Sequence, residues 1–170
     1  NIRSMIEAVE TLTTDKAVKL FEKFGIFTKA ELESREEVLY EIYAKTINIE
    51  ALTMVDMASK EIIPAVIKYS KSLADSVLAV KEAGADAEVQ TELLKEVSAK
   101  LTEMKTALAK LEEVEAKAAA MENAKDQAFY YKDVVKAAMD ALRKPADELE
   151  MIVDKKVWPF PTYADLMFEV

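Results

Sequence analysis

The chain has 170 residues, a formal net charge of −9 and an apolar fraction of 51%, with two glycines, four prolines and neither cysteine nor histidine. Such acidity argues against a nucleic-acid backbone or an anionic membrane as main partner. The missing Cys and His remove structural zinc, thiol nucleophiles, Ser-His-Asp triads and histidine acid–base chemistry.

Strands and hairpins need turn residues, so the shortage of Gly and Pro points to long helices with few connections. No stretch approaches the roughly 20 apolar residues of a membrane span, and no signal peptide opens the chain. The absence of Cys fits a reducing compartment. The first residue is Asn1 rather than Met, which suggests a fragment or a processed product.

Residues 4–12 and 14–24 read as two short amphipathic helices or one broken one. Gly25 follows, where a left-handed residue ends a helix. The next start is the best marked: Thr28 at N-cap and Glu31 at N3 make a capping box, flanked by the staple pair Phe27 and Leu32. From residue 29 the spacing predicts a helix to about 83, roughly 80 Å long. Leu52, Val55, Ile62, Val66, Tyr69, Leu73, Val77 and Val80 supply its apolar spacing, and Pro64 predicts a kink. Gly84 makes the turn and Asp86 the next N-cap. Leu94, Val97, Leu101, Met104, Leu108 and Leu111 then alternate three and four apart, a heptad seam, with intrahelical pairs such as Glu96–Lys100 between.

The break after Ala116–Ala120 rests on Asn123 as cap, with Asp126 three residues on. Helix resumes through Tyr131, Val134, Val135, Ala138 and Leu142. Pro145 either kinks it or opens a new helix towards Leu149 and Ile152. Pro159 and Pro161 push Trp158 and Phe160 out of the helical region, so the helix stops by about Val157 and an extended strap follows. Thr162 at N-cap and Asp165 at N3, with Pro161 and Leu166 as a staple, restart a short helix. There Tyr163, Leu166, Met167 and Val170 share one side, with Phe168 apart.

The fold class is therefore all-α: an antiparallel bundle with one very long kinked helix and an aromatic C-terminal strap. We expect one domain over 1–170, with short helices to about 28, the bundle over 29–157 and the strap over 158–170. Leaving so many aromatic side chains exposed is costly. Trp158, Phe160, Tyr163, Leu166 and Phe168 are accordingly candidates for packing, either on their own bundle or on another domain or subunit. Pro159-Phe160-Pro161 does not supply the PxxP of an SH3-type ligand.

Candidate chemistry is sparse. Glu31, Glu33, Glu36 and Glu37 cluster near a helix start, where acids favour the macrodipole, and Glu112, Glu113 and Glu115 read as a solvated face. Asn48, Glu50 and Asp56 are polar within an apolar stretch and are candidates for buried hydrogen bonds that fix helix pairing. Met54, Met57, Met104 and Met121 read as core filler or adaptable interface. No phosphate loop or nucleophile elbow is present. We assign no catalytic, cofactor or metal residue to this chain.

Three stretches, in order along the chain, resemble type III glutamine synthetases. They are Leu20 to Arg35 (LFEKFGIFTKAELESR), Tyr43-Ala44-Lys45-Thr46-Ile47-Asn48-Ile49-Glu50-Ala51 continuing through Met54 and Met57 to Ile62-Ile63-Pro64-Ala65, and Trp158-Pro159-Phe160-Pro161-Thr162-Tyr163-Ala164-Asp165-Leu166. The resemblance implies a cytoplasmic parent enzyme that joins ammonia to glutamate using ATP and Mg²⁺ or Mn²⁺, built as a dodecamer. It also implies that the binding motifs lie upstream of Asn1. This chain would then be a non-catalytic structural or assembly domain, with the catalytic domain and neighbouring subunits as partners and neither nucleic acid nor membrane. A free-standing helical scaffold that pairs through the 94–111 seam is the alternative. A ligand binder or enzyme built on Asn48, Glu50 and Asp56 is a third reading.

Overall fold

The computed structural model describes residue 2, residues 4–161 and residues 163–168, and of Tyr163 and Ala164 only the backbone. Helices are the regular structure among the described residues, and no strand occurs. They are α1 (Met5–Val9), α2 (Asp15–Lys23), α3 (Lys29–Met57), α4 (Ile63–Glu82), α5 (Glu88–Ala119), α6 (Ala124–Tyr130), α7 (Lys136–Glu150) and α8 (Tyr163–Phe168). Two π turns, Ala58–Ile62 and Tyr131–Val135, lie between α3 and α4 and between α6 and α7. The chain forms two compact units, one of Asn1–Leu52 with Glu113–Ala137, the other of Thr53–Glu112 with Ala138–Val170.

Local chemistry sets the helix ends. Thr28 N–H donates to the Glu31 carboxylate at 2.7 Å, and Glu31 N–H returns a bond to the Thr28 hydroxyl at 3.3 Å. These bonds satisfy amides that the first turn leaves without partners. Gly25 and Gly84 both hold left-handed φ, +65° and +80°. After each, two amides reach back to the helix. Gly25 and Ile26 donate to Glu22 and Phe21, and Gly84 and Ala85 to Lys81 and Val80, all at 3.0–3.1 Å. That is the Schellman ending, which needs a residue without a Cβ penalty. Asn123 caps α6 by accepting from Asp126 N–H at 3.0 Å. Asp86 accepts from Glu88 N–H at 3.1 Å, within the turn that opens α5.

The structure sharpens the sequence reading at three backbone positions. Ahead of Pro64 the ladder widens, with Ile63 N–H bonding Ala58 O five residues back. Pro64 lacks the amide that Lys60 O would take in a regular helix, and it sits in the first turn of α4, where none is needed. Pro145 lies inside α7 and starts no new helix. Finally, α7 ends at Glu150, ahead of the limit set near Val157. Asp154 takes over: its carbonyl accepts from the Val157 and Trp158 amides at 2.8 and 3.0 Å, and its side chain accepts from Lys156 N–H at 2.8 Å. Aspartate competes with helix in this way wherever a local turn is available.

In the first unit Ile6, Val9, Tyr40 and Ala128 form the core, with Leu12, Leu39, Tyr43 and Phe129 packed around them. The Tyr40 and Phe129 rings lie tilted, 6.3 Å apart. Glu10–Lys125 and Glu7–Lys132 ion pairs at 2.8 and 3.1 Å rim this core. In the second unit Val97, Met104, Leu108 and Leu111 of the α5 seam are buried, as are Val66, Leu142 and Leu149. Lys100 does not pair with Glu96 as the spacing predicts. It turns to Glu103 at 3.0 Å and to Glu148 of α7 at 2.8 Å. Those bonds raise its pKa to about 12 and lower that of Glu148.

Candidate interface surface

The Asp154 turn delivers Trp158 into the second unit, where it is buried. Phe160 is half-buried behind it. Together they wall an apolar cavity of about 350 Å³ whose other sides include Met54, Met57, Met104 and Leu142. Methionine suits such an irregular wall because its unbranched chain adapts to many shapes. At the rim Arg143 and Asp147 pair one helical turn apart at 3.2 Å. Leu166 also reaches the cavity yet stays 68% exposed, and Phe168 is 76% exposed. Lys155 and Asp165 form an ion pair that ties the Asp154 turn to α8. Thr162, the expected cap, and Val170 lie outside the described residues, as does the Tyr163 side chain.

The three polar candidates do not come together. Asn48 is half-buried and donates from Nδ2 to Glu115 Oε1 at 2.7 Å and to the Tyr131 hydroxyl at 2.9 Å. One amide thus ties α3 to α5 and to the π turn after α6 within the first unit. Burial pushes the Tyr131 pKa up, an effect that the Asn48 bond opposes. Glu50 and Asp56 are exposed, contrary to the sequence reading. Asp56 pairs with Lys60 one turn on. The period places both on the solvent side of their helix, where carboxylates need no partner to stay hydrated.

The acidic cluster is partly taken up in local bonds, and Glu33, Glu36 and Glu37 line one open cavity of about 300 Å³ in the first unit. Glu31 belongs to the capping box, and the Thr28 amide and hydroxyl lower its pKa. Glu33 pairs with Lys29 at 3.5 Å, and Glu36 accepts from the Tyr40 hydroxyl at 3.1 Å. Among the described residues no three acidic side chains are placed to hold a metal ion. No described helix is long and apolar enough to cross a membrane.

Residues 1–81 match the family described as the glutamine synthetase C-terminal domain. The chain resembles that family over just under half of its length. Along its whole length it is 36% identical to a glutamine synthetase of Butyrivibrio fibrisolvens, of which it covers 25%. Over 99% of its length it is 30% identical to a glutamine synthetase of Bacteroides fragilis (strain YCH46) and 32% identical to a type-3 glutamine synthetase of Dictyostelium discoideum. It covers 24% of each. The chain thus spans about a quarter of the length of these relatives, and it matches only their C-terminal region. The family match takes in α1 to α3, Asn48 and most of α4, while the strap lies beyond it.

The sequence reading did not single out one feature of this chain: α3 is apolar on two sides. Leu52, one of the positions that supply the apolar spacing, is 48% exposed, as are Val38, Ile42 and Ile49 to 50%, 51% and 65%. Their spacing of four, seven and three residues was the available signal.

Proposed function

We propose that the chain is the non-catalytic C-terminal structural domain of a glutamine synthetase. The longer polypeptide joins ammonia to glutamate with ATP and Mg²⁺ or Mn²⁺ held outside this chain, in the cytoplasm. One observation carries the reading: similarity runs through the entire chain yet stops at a quarter of each relative. In this reading the helices pack as an antiparallel bundle, which the Lys100–Glu148 tie between α5 and α7 supports. Trp158 and Phe160 brace the bundle, while Leu166 and Phe168 face the catalytic region of the same polypeptide or a neighbouring subunit of the homo-oligomer, a dodecamer by the family resemblance. The exposed Leu166 and Phe168 side chains support that placement.

The test compares the mass in solution of the full polypeptide and of a form ending just before Asn1. Truncation is expected to break the assembly into smaller soluble species. An intact assembly after truncation refutes the structural role. The chain alone, given ATP, Mg²⁺, glutamate and ammonia, is expected to make no glutamine, and turnover there overturns the non-catalytic assignment.

A further inference from the structure

Arg143, Ala146, Asp147 and Glu150 recur at helical spacing along α7 and line the cavity walled by Trp158 and Phe160. Steps of three and four residues keep them on one side of the helix. Every residue of the lining belongs to the second unit. An apolar cavity of about 150 Å³ takes a molecule the size of benzene. At about 350 Å³ this one lies within the size range of small-molecule sites and has room for about eight carbons.

The charged groups of the lining are one guanidinium and two carboxylates. Arg143 is committed to Asp147 through Nε at 3.2 Å, so that pair presents no net charge. Glu150 is half-buried, and its carboxylate has no partner among the described residues. It also closes α7, whose last turn holds no basic residue. A helix C-terminus carries about half a negative charge, which favours a cation. Aromatic rings attract a cation over their faces as well, tryptophan most strongly. An anion would instead meet Glu150 and the helix end, and would have to displace Asp147 from Arg143.

We propose that this cavity binds a small organic monocation, a primary ammonium on an apolar body of about eight carbons. The body replaces water against Met54, Met57 and Met104, whose unbranched side chains adapt to its shape. The ammonium donates to Glu150 at the rim. The site is independent of what the longer polypeptide catalyses.

The experiment titrates the 170-residue chain with n-octylammonium, octanoate and octan-1-ol, which share one alkyl chain and differ in head-group charge. Trp158 is buried and is the only tryptophan, so its fluorescence reports binding, and calorimetry checks the stoichiometry. Octylammonium is expected to saturate one site about tenfold more tightly than octanoate, and to weaken as salt rises from about 0.05 to 0.5 M. Glu150→Gln should weaken octylammonium about five- to tenfold and leave octanol unchanged. Ala146→Leu fills the cavity and should weaken both; if it misfolds, Glu150→Gln, with a side chain already at the rim, decides the matter. Equal binding of octanoate, a preference that survives Glu150→Gln, or binding by a folded Ala146→Leu chain as tight as before overturns the proposal. So does a full polypeptide whose octylammonium binding Glu150→Gln leaves unchanged, because another part of it then covers the cavity.

Discussion

Replacing Asn48 with Ala tests whether one amide holds the first unit's helices in register. The substitution removes a bond to the Glu115 carboxylate and one to the Tyr131 hydroxyl, at 2.7 and 2.9 Å. A hydrogen bond to a charged acceptor contributes about 1.5–3 kcal/mol and a neutral one about 1 kcal/mol. Tyr131 is only 1% exposed, so its hydroxyl has little access to replacement water. The combined cost is about 3 kcal/mol, or roughly 6–12 °C in Tm for a chain of this size. Tyr131→Phe takes away one acceptor and leaves Asn48 bound to Glu115, at a cost of about 1 kcal/mol. The double variant should then fall short of additivity by about 1 kcal/mol, because the shared bond is lost only once. Thermal melting followed by circular dichroism measures all three. Asp56→Ala serves as control, since its exposed pair with Lys60 contributes within about 0.5 kcal/mol. A shift under about 2 °C for Asn48→Ala, or strict additivity, refutes the role given to this amide.

Thr28→Ala removes the capping box and should cost about 1 kcal/mol in urea unfolding. Gly84→Ala should cost about 1–2 kcal/mol from backbone strain alone, since nothing lies within 4 Å of the added Cβ. Trp158→Ala opens the cavity wall of the second unit and should cost about 3–5 kcal/mol by calorimetry. Burial, and to a lesser degree the bond to Glu36, raise the Tyr40 pKa, and burial raises that of Tyr131. A raised phenol contributes stability below its ordinary value of 10.0 and loses it as pH climbs. Burial raises the Tyr43 pKa as well, so tyrosinate absorbance should show a late phase from Tyr40, Tyr43 and Tyr131 that coincides with unfolding; their titration in a still-folded chain would contradict the burial argument. The Glu148 carboxyl is lowered by Lys100, so its contribution holds above 4.5 and fades in acid. Glu148→Gln should flatten that acid limb of stability.

What sequence exposes here is chemistry confined to a few residues. Thr28 with Glu31, Gly25, Gly84 and Asn123 each close a bond within five positions, so the residue types alone predict the geometry that forms. The end of α7 escapes that logic because helix continuation and the Asp154 turn compete at close energies. Packing of Val153 and Trp158, both buried, favours the turn. The π turns escape it for the same reason: Tyr131 and Val135 are both buried across one widened turn, which depends on neighbours distant in sequence. Periodicity is subtler still. It marks which residues want to be covered, and on α3 it marks two opposite stripes. Tyr40, Ala44, Ile47 and Ala51 find their cover within this chain, whereas Val38, Ile42 and Leu52 stay in contact with solvent. A hydrophobic pattern is thus a statement about burial in the assembled protein. Where one chain satisfies half of it, the other half is information about what that chain meets.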